Sequence, residues 1–227
     1  MPARLRPKAP LAADAILVGD PGRSLLLAQE LLEEPRMSNH ARGLWGYTGR
    51  TADGAELTIQ TTGIGGPSAA AVLADLAELG VKRAVRIGTC LGLGDAAELG
   101  ELLLVAPALA GGGSASSFGV GQGDSVPPDP ELHEMLRREL GDDARPATVA
   151  SVDSLPPQAP GPLPQADAAD MQTATLLARA EQLGIGAAAL LIVAEKSGSE
   201  EVLDDEELEA TARRAGRAVS VVLSTST

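Results

Sequence analysis

The sequence contains few of the residues from which crosslinks, metal sites and aromatic cores are built. Cys90 is its only cysteine, which excludes an intrachain disulfide and a metal site made from several thiolates. His40 and His133 are its only histidines, and neither belongs to a metal-ligand motif, so we expect no metal ion. Three residues are aromatic: Trp45, Tyr47 and Phe118. The core is therefore expected to be aliphatic.

Positive charge and long apolar runs are also scarce. The chain has 18 Lys and Arg against 31 Asp and Glu, and this net charge of −13 opposes binding to nucleic acids and anionic membranes. No apolar run reaches the roughly 18 residues of a membrane span. The basic N-terminal stretch is interrupted by prolines and has no apolar centre, so we expect no signal peptide and a cytoplasmic location. An anionic ligand would need a local cluster of donors.

Apolar segments of strand length alternate with segments of helix length along the chain. The first pair is predicted as a strand at 15–18 and a helix at 24–32, and a long helix is predicted at 166–184. This alternation is typical of an α/β fold, here a single domain with a central mixed β-sheet flanked by helices. We assign residues 14–227 to that domain and residues 1–13 to a flexible N-terminal arm.

The segment GDPGR, which follows the first predicted strand, has the features of an anion site. In α/β sheets, ligands bind beyond the carboxyl ends of the strands. Gly19 lets the backbone approach an anion, and the helix that follows offers free N–H groups. Arg23 adds a planar fork of donors. The alternative is a Pro-Gly turn that carries a solvated arginine.

Arg86 lies in the otherwise apolar strand VRIGTC. A charge in such a run needs a partner, because burial of an unpaired charge is costly. That partner is either a bound anion or an acidic side chain, which would make Arg86 part of a structural ion pair. Gly88 and Thr89 follow directly at the strand end, where α/β sheets bind ligands.

Six motifs together resemble the nucleoside phosphorylases of the hexameric type, a family of purine nucleoside and uridine phosphorylases. In order they are GDPGR, NHARGLWGYTG, TTGIGGPSAA, VRIGTC, ADMQTA and LLIVAEKSG. The resemblance extends from about residue 15 to the end and is poor over 111–164. It implies a phosphate site in which one arginine, Arg42, is given to the neighbouring subunit. The implied phosphate-binding residues are Gly19, Arg23, Arg42, Arg86 and Thr89.

The resemblance also implies a reaction, in which phosphate attacks the anomeric carbon of a nucleoside and the glycosidic bond breaks through a cationic transition state. The catalytic candidates are Glu195 and Arg86. Glu195 occupies the position of the acid that neutralises the leaving base, and Arg86 would hold the phosphate. The alternative for Glu195 is a surface pair with the adjacent Lys196.

The nucleoside half of the implied site departs from the family pattern. Gln172 replaces a glutamate that accepts hydrogen bonds from ribose hydroxyls. Leu91 replaces a usual glycine, and Leu155 lies where an aromatic often packs under the base. The Gln and Arg pair that recognises uracil has no clear counterpart, which favours a purine. The implied nucleoside-binding residues are Cys90, Leu91, Ser151, Asp153, Leu155, Asp170, Met171 and Gln172.

The resemblance therefore predicts a pentosyltransferase that cleaves the N-glycosidic bond of a purine nucleoside with phosphate, giving free base and sugar 1-phosphate. Inorganic phosphate would be a co-substrate, and no cofactor is expected. The predicted assembly is a homodimer or a homohexamer, with no nucleic-acid or membrane partner. Two alternatives stay open: a hydrolytic nucleosidase, and a catalytically weak member of the family that binds nucleoside or phosphate.

Overall fold

A computed structural model describes residues 4–94, 97–155 and 165–225. The strands within these ranges are β1 Asp14–Val18, β2 Glu33–Asn39, β3 Gly46–Arg50, β4 Glu56–Thr61, β5 Arg83–Gly92, β6 Leu102–Ala110, β7 Ser125–Val126, β8 Arg145–Ser151, β9 Ala168–Asp170 and β10 Gly186–Lys196. The α-helices are α1 Pro21–Leu31, α2 Gly66–Glu78, α3 Gly113–Ser116, α4 Pro130–Leu140, α5 Thr173–Leu183 and α6 Asp205–Ser224.

The strands form one mixed sheet with the order β10-β6-β8-β9-β5-β1-β4-β3-β2, and β7 pairs with β6. Because β10 also pairs with β5, the strands β5, β9, β8, β6 and β10 close into a ring. β1 runs parallel to both β4 and β5, and β5 runs parallel to β10. β2, β3 and β4 form an antiparallel extension. The predicted α/β class with a central mixed sheet is confirmed.

Helices cover both faces of this sheet and bury an aliphatic core. α2 and α5 pack on one face through residues such as Leu73 and Leu176. α1, α4 and α6 pack on the other face, where Leu27 and Val219 are fully buried. Gly216 lets α1 and α6 approach closely, since a Cβ there would lie 2.7 Å from Leu27 Cδ2. None of the helices in the described part of the chain has both the length and the apolarity that a bilayer crossing needs.

Helix α1 begins at Pro21, not at Ser24 as predicted. Asp20 is its N-cap, and the Asp20 carboxylate accepts the main-chain N–H of Arg23 at 2.8 Å. Pro21 fits the first turn, where its missing N–H leaves no hydrogen bond unmade. Ser24 lies inside the helix and its hydroxyl donates to the carbonyl of Pro21. The prediction was wrong because the Asp-Pro pair supplies a helix start before the serine is reached.

The long helix predicted at 166–184 is a short strand followed by a shorter helix. Residues 168–170 form β9, which pairs with β5 and β8, and α5 begins only at Thr173. The carboxylate of Asp170 accepts the N–H of Thr173, which satisfies a free donor at the start of α5. Pairing to two neighbouring strands therefore overrides the local helix preference of this alanine-rich segment.

The described part of the segment expected to be a flexible arm lies against the domain. The N–H groups of Arg4 and Leu5 donate to Asp75 Oδ2 at 2.6 and 2.7 Å, and the Leu5 side chain is 1% exposed. Further along, the N–H of Ala12 donates to Thr58 Oγ1 at 2.8 Å. Leu5 packs into the aliphatic core beside the buried carboxylate of Asp75 in α2, and the flexibility of the arm stays a prediction.

Candidate active site

A cavity of about 580 Å³ opens at the carboxyl ends of the adjacent strands β4, β1 and β5. This is the edge at which α/β sheets bind ligands. The residues predicted for phosphate all line it: Gly19, Arg23, Arg42, Arg86 and Thr89. Four residues predicted for the nucleoside also line it: Leu155, Asp170, Met171 and Gln172. Motifs that are far apart in the sequence therefore meet in one cavity.

Arg23 lies half-buried in the first turn of α1 and faces this cavity. Burial lowers the pKa of the Arg23 guanidinium, Asp20 opposes that change, and the positive charge of Arg86 adds to it. Within the described ranges, no carboxylate is hydrogen-bonded to the Arg23 side chain. The positive charges of Arg23 and Arg86 therefore repel each other at the cavity wall, and an anion bound between them would offset this repulsion.

Arg86 has an acidic partner as well as a place on the cavity wall. Its Nη2 lies 3.1 Å from Asp170 Oδ2, and its Nε donates to Thr173 Oγ1 at 3.3 Å. Gly88 makes room for the guanidinium, since a Cβ there would lie 2.5 Å from Arg86 Cζ. The alternative of an ion pair is thus present in the structure. A guanidinium has five N–H donors, so the pair leaves others for a ligand.

Ser151 and Asp170, both predicted to bind the nucleoside, bind each other. The Ser151 hydroxyl donates to Asp170 Oδ1 at 2.5 Å, and the N–H of Ala174 donates to Ser151 Oγ at 2.8 Å. The Thr173 hydroxyl donates to Asp170 Oδ2 at 2.6 Å. Asp170 touches the cavity but its oxygens are occupied by these donors, and Ser151 does not reach the lining.

Arg42 lies in a tight turn at Ala41–Gly43 and has a φ of 61°, in the left-handed region that few non-glycine residues adopt. Its exposed side chain lines the cavity of its own chain. It also borders a surface groove that contains Arg6 and Lys8. Donation of Arg42 to a neighbouring subunit stays a prediction.

Gln172 uses its amide to hold a glycine loop. Its Nε2 donates to the carbonyls of Gly63 at 2.5 Å and Gly65 at 3.3 Å, and its Oε1 accepts the hydroxyl of Thr62 at 3.2 Å. Both amide hydrogens are therefore engaged with the main chain, and only part of the Oε1 capacity is left for a sugar hydroxyl. The loop carries Ile64, which lines the cavity and is 82% exposed.

Besides Ser151, three other predicted nucleoside residues lie away from the cavity lining. Cys90 is buried, its thiol faces the carbonyl of Ile192 at 3.6 Å, and burial raises the pKa of this thiol. Leu91 is buried beside its strand partner Ala169. Asp153 accepts the N–H of Gly113 at the start of α3. The hydrogen bond from the Ser114 hydroxyl lowers the pKa of Asp153.

The predicted acid, Glu195, is exposed at the end of β10 and does not line the cavity in the described part of the chain. A bulge between Val193 and Glu195 shifts the register against β5, so that Glu195 pairs with Leu91. Lys196 forms its ion pair with Glu98, at 3.5 Å. The alternative role of Glu195, a surface ion pair with Lys196, is therefore not formed in this structure, because Lys196 pairs with Glu98.

The cavity also contains residues that the sequence analysis did not select. Asp20 is one, and its position before Pro21 is the signal of a helix N-cap that could have identified it. Thr61, at the end of β4, and Ile64 are others. Ile64 lies between two glycines with φ of 75° and 80°. The glycines of the TGIGG sequence favour this backbone conformation, but the sequence alone does not show that Ile64 lies beside a cavity.

Comparison with known proteins agrees with this architecture. The chain is similar to the uridine phosphorylase of Vibrio fischeri ES114, with a TM-score of 0.79, 21% identity, and coverage of 94% of this chain and 92% of the other. It is also similar to the purine nucleoside phosphorylase of Toxoplasma gondii, with a TM-score of 0.82, 19% identity, and coverage of 94% and 91%. At these identities the likeness concerns the fold.

Curated relatives match over shorter stretches. A DeoD-type purine nucleoside phosphorylase of Oceanobacillus iheyensis is 44% identical over 80 residues, 34% of each chain. One of Clostridium beijerinckii is 34% identical over 99 residues, 43% of this chain and 41% of the relative. The chain thus spans about a third to two fifths of the length of these relatives. The model of the phosphorylase superfamily, however, matches residues 14–226. The chain belongs to the phosphorylase superfamily.

Proposed function

We propose that this protein is a nucleoside phosphorylase that cleaves the N-glycosidic bond of a purine nucleoside with inorganic phosphate. The observation that carries the proposal is the convergence of Arg23 and Arg86 on one cavity at the N-terminus of α1. In a chain with a net charge of −13, such a concentration of donors is suited to a small anion. The purine is supported by the names of the curated relatives.

In this proposal phosphate lies between the start of α1 and the end of β5. Arg23 and Arg86 would donate to its oxygens, with Thr89, the free N–H groups of the helix start and Arg42 of a neighbouring subunit. One phosphate oxygen then attacks the anomeric carbon, a C–O bond forms, and the C–N bond breaks with its electron pair leaving on the base. The negative charge of the phosphate stabilises the developing positive charge on the sugar.

The leaving base needs a proton, and Glu195 is the candidate donor. It follows β10, the strand that pairs with the Arg86 strand β5, so it lies at the same edge of the sheet. Its exposed position and its absence from the described lining favour a second candidate function, in which the protein binds its ligand but turns it over slowly. The engaged amide of Gln172 supports the same alternative.

The decisive experiment measures the release of free base from a panel of purine and pyrimidine nucleosides, with and without phosphate. Release that requires phosphate, together with sugar 1-phosphate as product, supports the proposal and identifies the base. Release without phosphate indicates a hydrolytic nucleosidase. Ligand binding without release from any nucleoside supports the binding function.

We propose further that the protein acts as a homodimer or homohexamer and that Arg42 completes the site of a neighbouring subunit. Arg42 is exposed, and its turn borders both the cavity and an outer groove. Mixing an Arg42→Ala protein with an Arg23→Ala protein tests this, because a shared site would regain phosphate-dependent activity in mixed oligomers. Light scattering gives the assembly size.

A further inference from the structure

A buried triangle of side chains holds the Arg86 guanidinium. Arg86 Nη2 lies 3.1 Å from Asp170 Oδ2, Arg86 Nε donates to Thr173 Oγ1 at 3.3 Å, and Thr173 Oγ1 donates to Asp170 Oδ2 at 2.6 Å. The exposed fractions are 5% for Arg86, 1% for Asp170 and 0% for Thr173. The Thr173 hydroxyl thus bridges the two charged groups, accepting from one and donating to the other.

A second set of donors fixes the carboxylate itself. Ser151 Oγ donates to Asp170 Oδ1, and the N–H of Thr173 donates to both carboxylate oxygens, at 3.2 and 3.1 Å. Asp170 ends β9, whereas Thr173 begins α5, so the carboxylate also lies at the positive end of a helix. The position of Asp170 is therefore determined by strand β9, by the start of helix α5 and by the hydroxyl of Ser151 in β8.

We propose that Asp170 and Thr173 are positioning residues, which orient Arg86 so that its remaining donors point at phosphate in the cavity. The inference rests on the proposed function, because it takes phosphate as the ligand of Arg86. Two of the five N–H donors of the guanidinium are used by the triangle, at Nε and Nη2. The others are left on a side chain that lines the cavity.

Stability alone does not account for this arrangement. A buried ion pair is weak support for a fold, since well-packed apolar residues of similar volume often serve as well or better. The network also imposes a glycine at 88, where a Cβ would collide with the guanidinium. A long side chain held at two points keeps one geometry, and a fixed geometry is what anion binding requires of an arginine.

The test compares two substitutions of Thr173 that differ in the hydroxyl. Thr173→Val removes the hydroxyl at nearly constant volume, and Thr173→Ser keeps it. The readouts are the rise in thermal unfolding midpoint caused by inorganic phosphate and, where turnover is measurable, the KM for phosphate beside the KM for nucleoside. Loss of a hydrogen bond to a charged group weakens binding about tenfold, so we expect this loss for phosphate in Thr173→Val alone.

Thr58→Val is the matched control. Thr58 is also fully buried, and its hydroxyl accepts the N–H of Ala12 and donates to Thr48 Oγ1. It lies on β4, two strands away from the Arg86 strand β5, and makes no hydrogen bond to the described residues of the Arg86 network. Thr58→Val should lower stability without changing phosphate affinity.

The outcomes separate the inference from the function on which it rests. A wild-type protein that responds to phosphate, with an unchanged response in Thr173→Val, would overturn the positioning role and leave the phosphate site intact. Equal weakening in Thr58→Val and Thr173→Val would overturn it as well. If the wild-type protein does not respond to phosphate at all, the proposed function and the inference both fail.

Discussion

Gln172 donates both of its amide hydrogens to carbonyl oxygens of the loop that it faces, those of Gly63 and Gly65. A carboxylate in its place would have no hydrogen for either oxygen and would add a negative charge beside them. Thr62 also holds this loop. Its hydroxyl donates to Gln172 Oε1, and its carbonyl accepts a hydrogen bond from the Ser68 hydroxyl. An amide at position 172 is therefore matched to its neighbours, because these carbonyls need hydrogen donors.

Gln172→Glu should destabilise the protein by about 1–3 kcal/mol, because the carbonyls of Gly63 and Gly65 lose their donors and the new carboxylate keeps only the hydroxyl of Thr62. The free energy of unfolding in urea measures this loss. Gln29→Glu is the control, since Gln29 is exposed on α1 and makes no such contact in the described residues. If both variants unfold at the wild-type urea concentration, the amide of Gln172 does not hold the loop.

Glu195→Gln tests the proton donor. We expect turnover to fall on the order of 10²-fold, the lower range for loss of a general acid, while nucleoside affinity stays at the wild-type value. Glu201→Gln, another exposed carboxylate in the segment after β10, serves as the control and should keep full activity. Equal rates for wild type and Glu195→Gln would exclude the acid role.

At the scale of elements, the apolar pattern of the sequence predicts the strands and helices that have an apolar core face. It does not predict strands that are defined by their pairing to neighbouring strands. β10 is a long apolar run, and α4 has regularly spaced leucines, so both follow from the sequence. β2 has the sequence EEPRMSN and lies at the sheet edge with five exposed residues in succession, so it carries no apolar signal. β9 is three residues long and is defined by its strand neighbours.

The start of α1 offers a prediction at this scale. Asp20→Ala should lower the free energy of unfolding by about 1 kcal/mol, because the first turn loses the carboxylate that accepts the N–H of Arg23. Asp204→Ala is the comparison, since Asp204 caps α6 in the same way by accepting the N–H of Glu207. Asp20→Asn, which keeps a capping oxygen, should recover most of the loss. An Asp20→Ala protein as stable as wild type would contradict the cap.

At the scale of the whole molecule, sequence reasoning found the motifs of the cavity but not the contacts between them. The glycine turns and arginines are local signals at strand ends, and the structure brings them to one edge of the sheet. The Arg86–Asp170 contact joins residues 84 apart in the sequence, and the contact from Gln172 to Gly63 joins residues 109 apart. One sequence gives no measure of such distances, so it does not identify the protein partners of Asp170 and Gln172. Both residues also line the cavity, and their contact with a nucleoside stays a prediction.

The distribution of charge leads to a final prediction for the folded chain. Because the net charge of −13 repels anions, stabilisation by phosphate must come from the local arginines of the cavity. At a phosphate concentration a hundred times the Kd, binding should add about 2.7 kcal/mol to the free energy of unfolding. The thermal midpoint should then rise by roughly 5–10 °C for a domain of this size. Sodium chloride at equal ionic strength should not reproduce the rise, and Arg23→Ala should diminish it. An equal rise with chloride would show general screening of the acidic surface in place of a phosphate site.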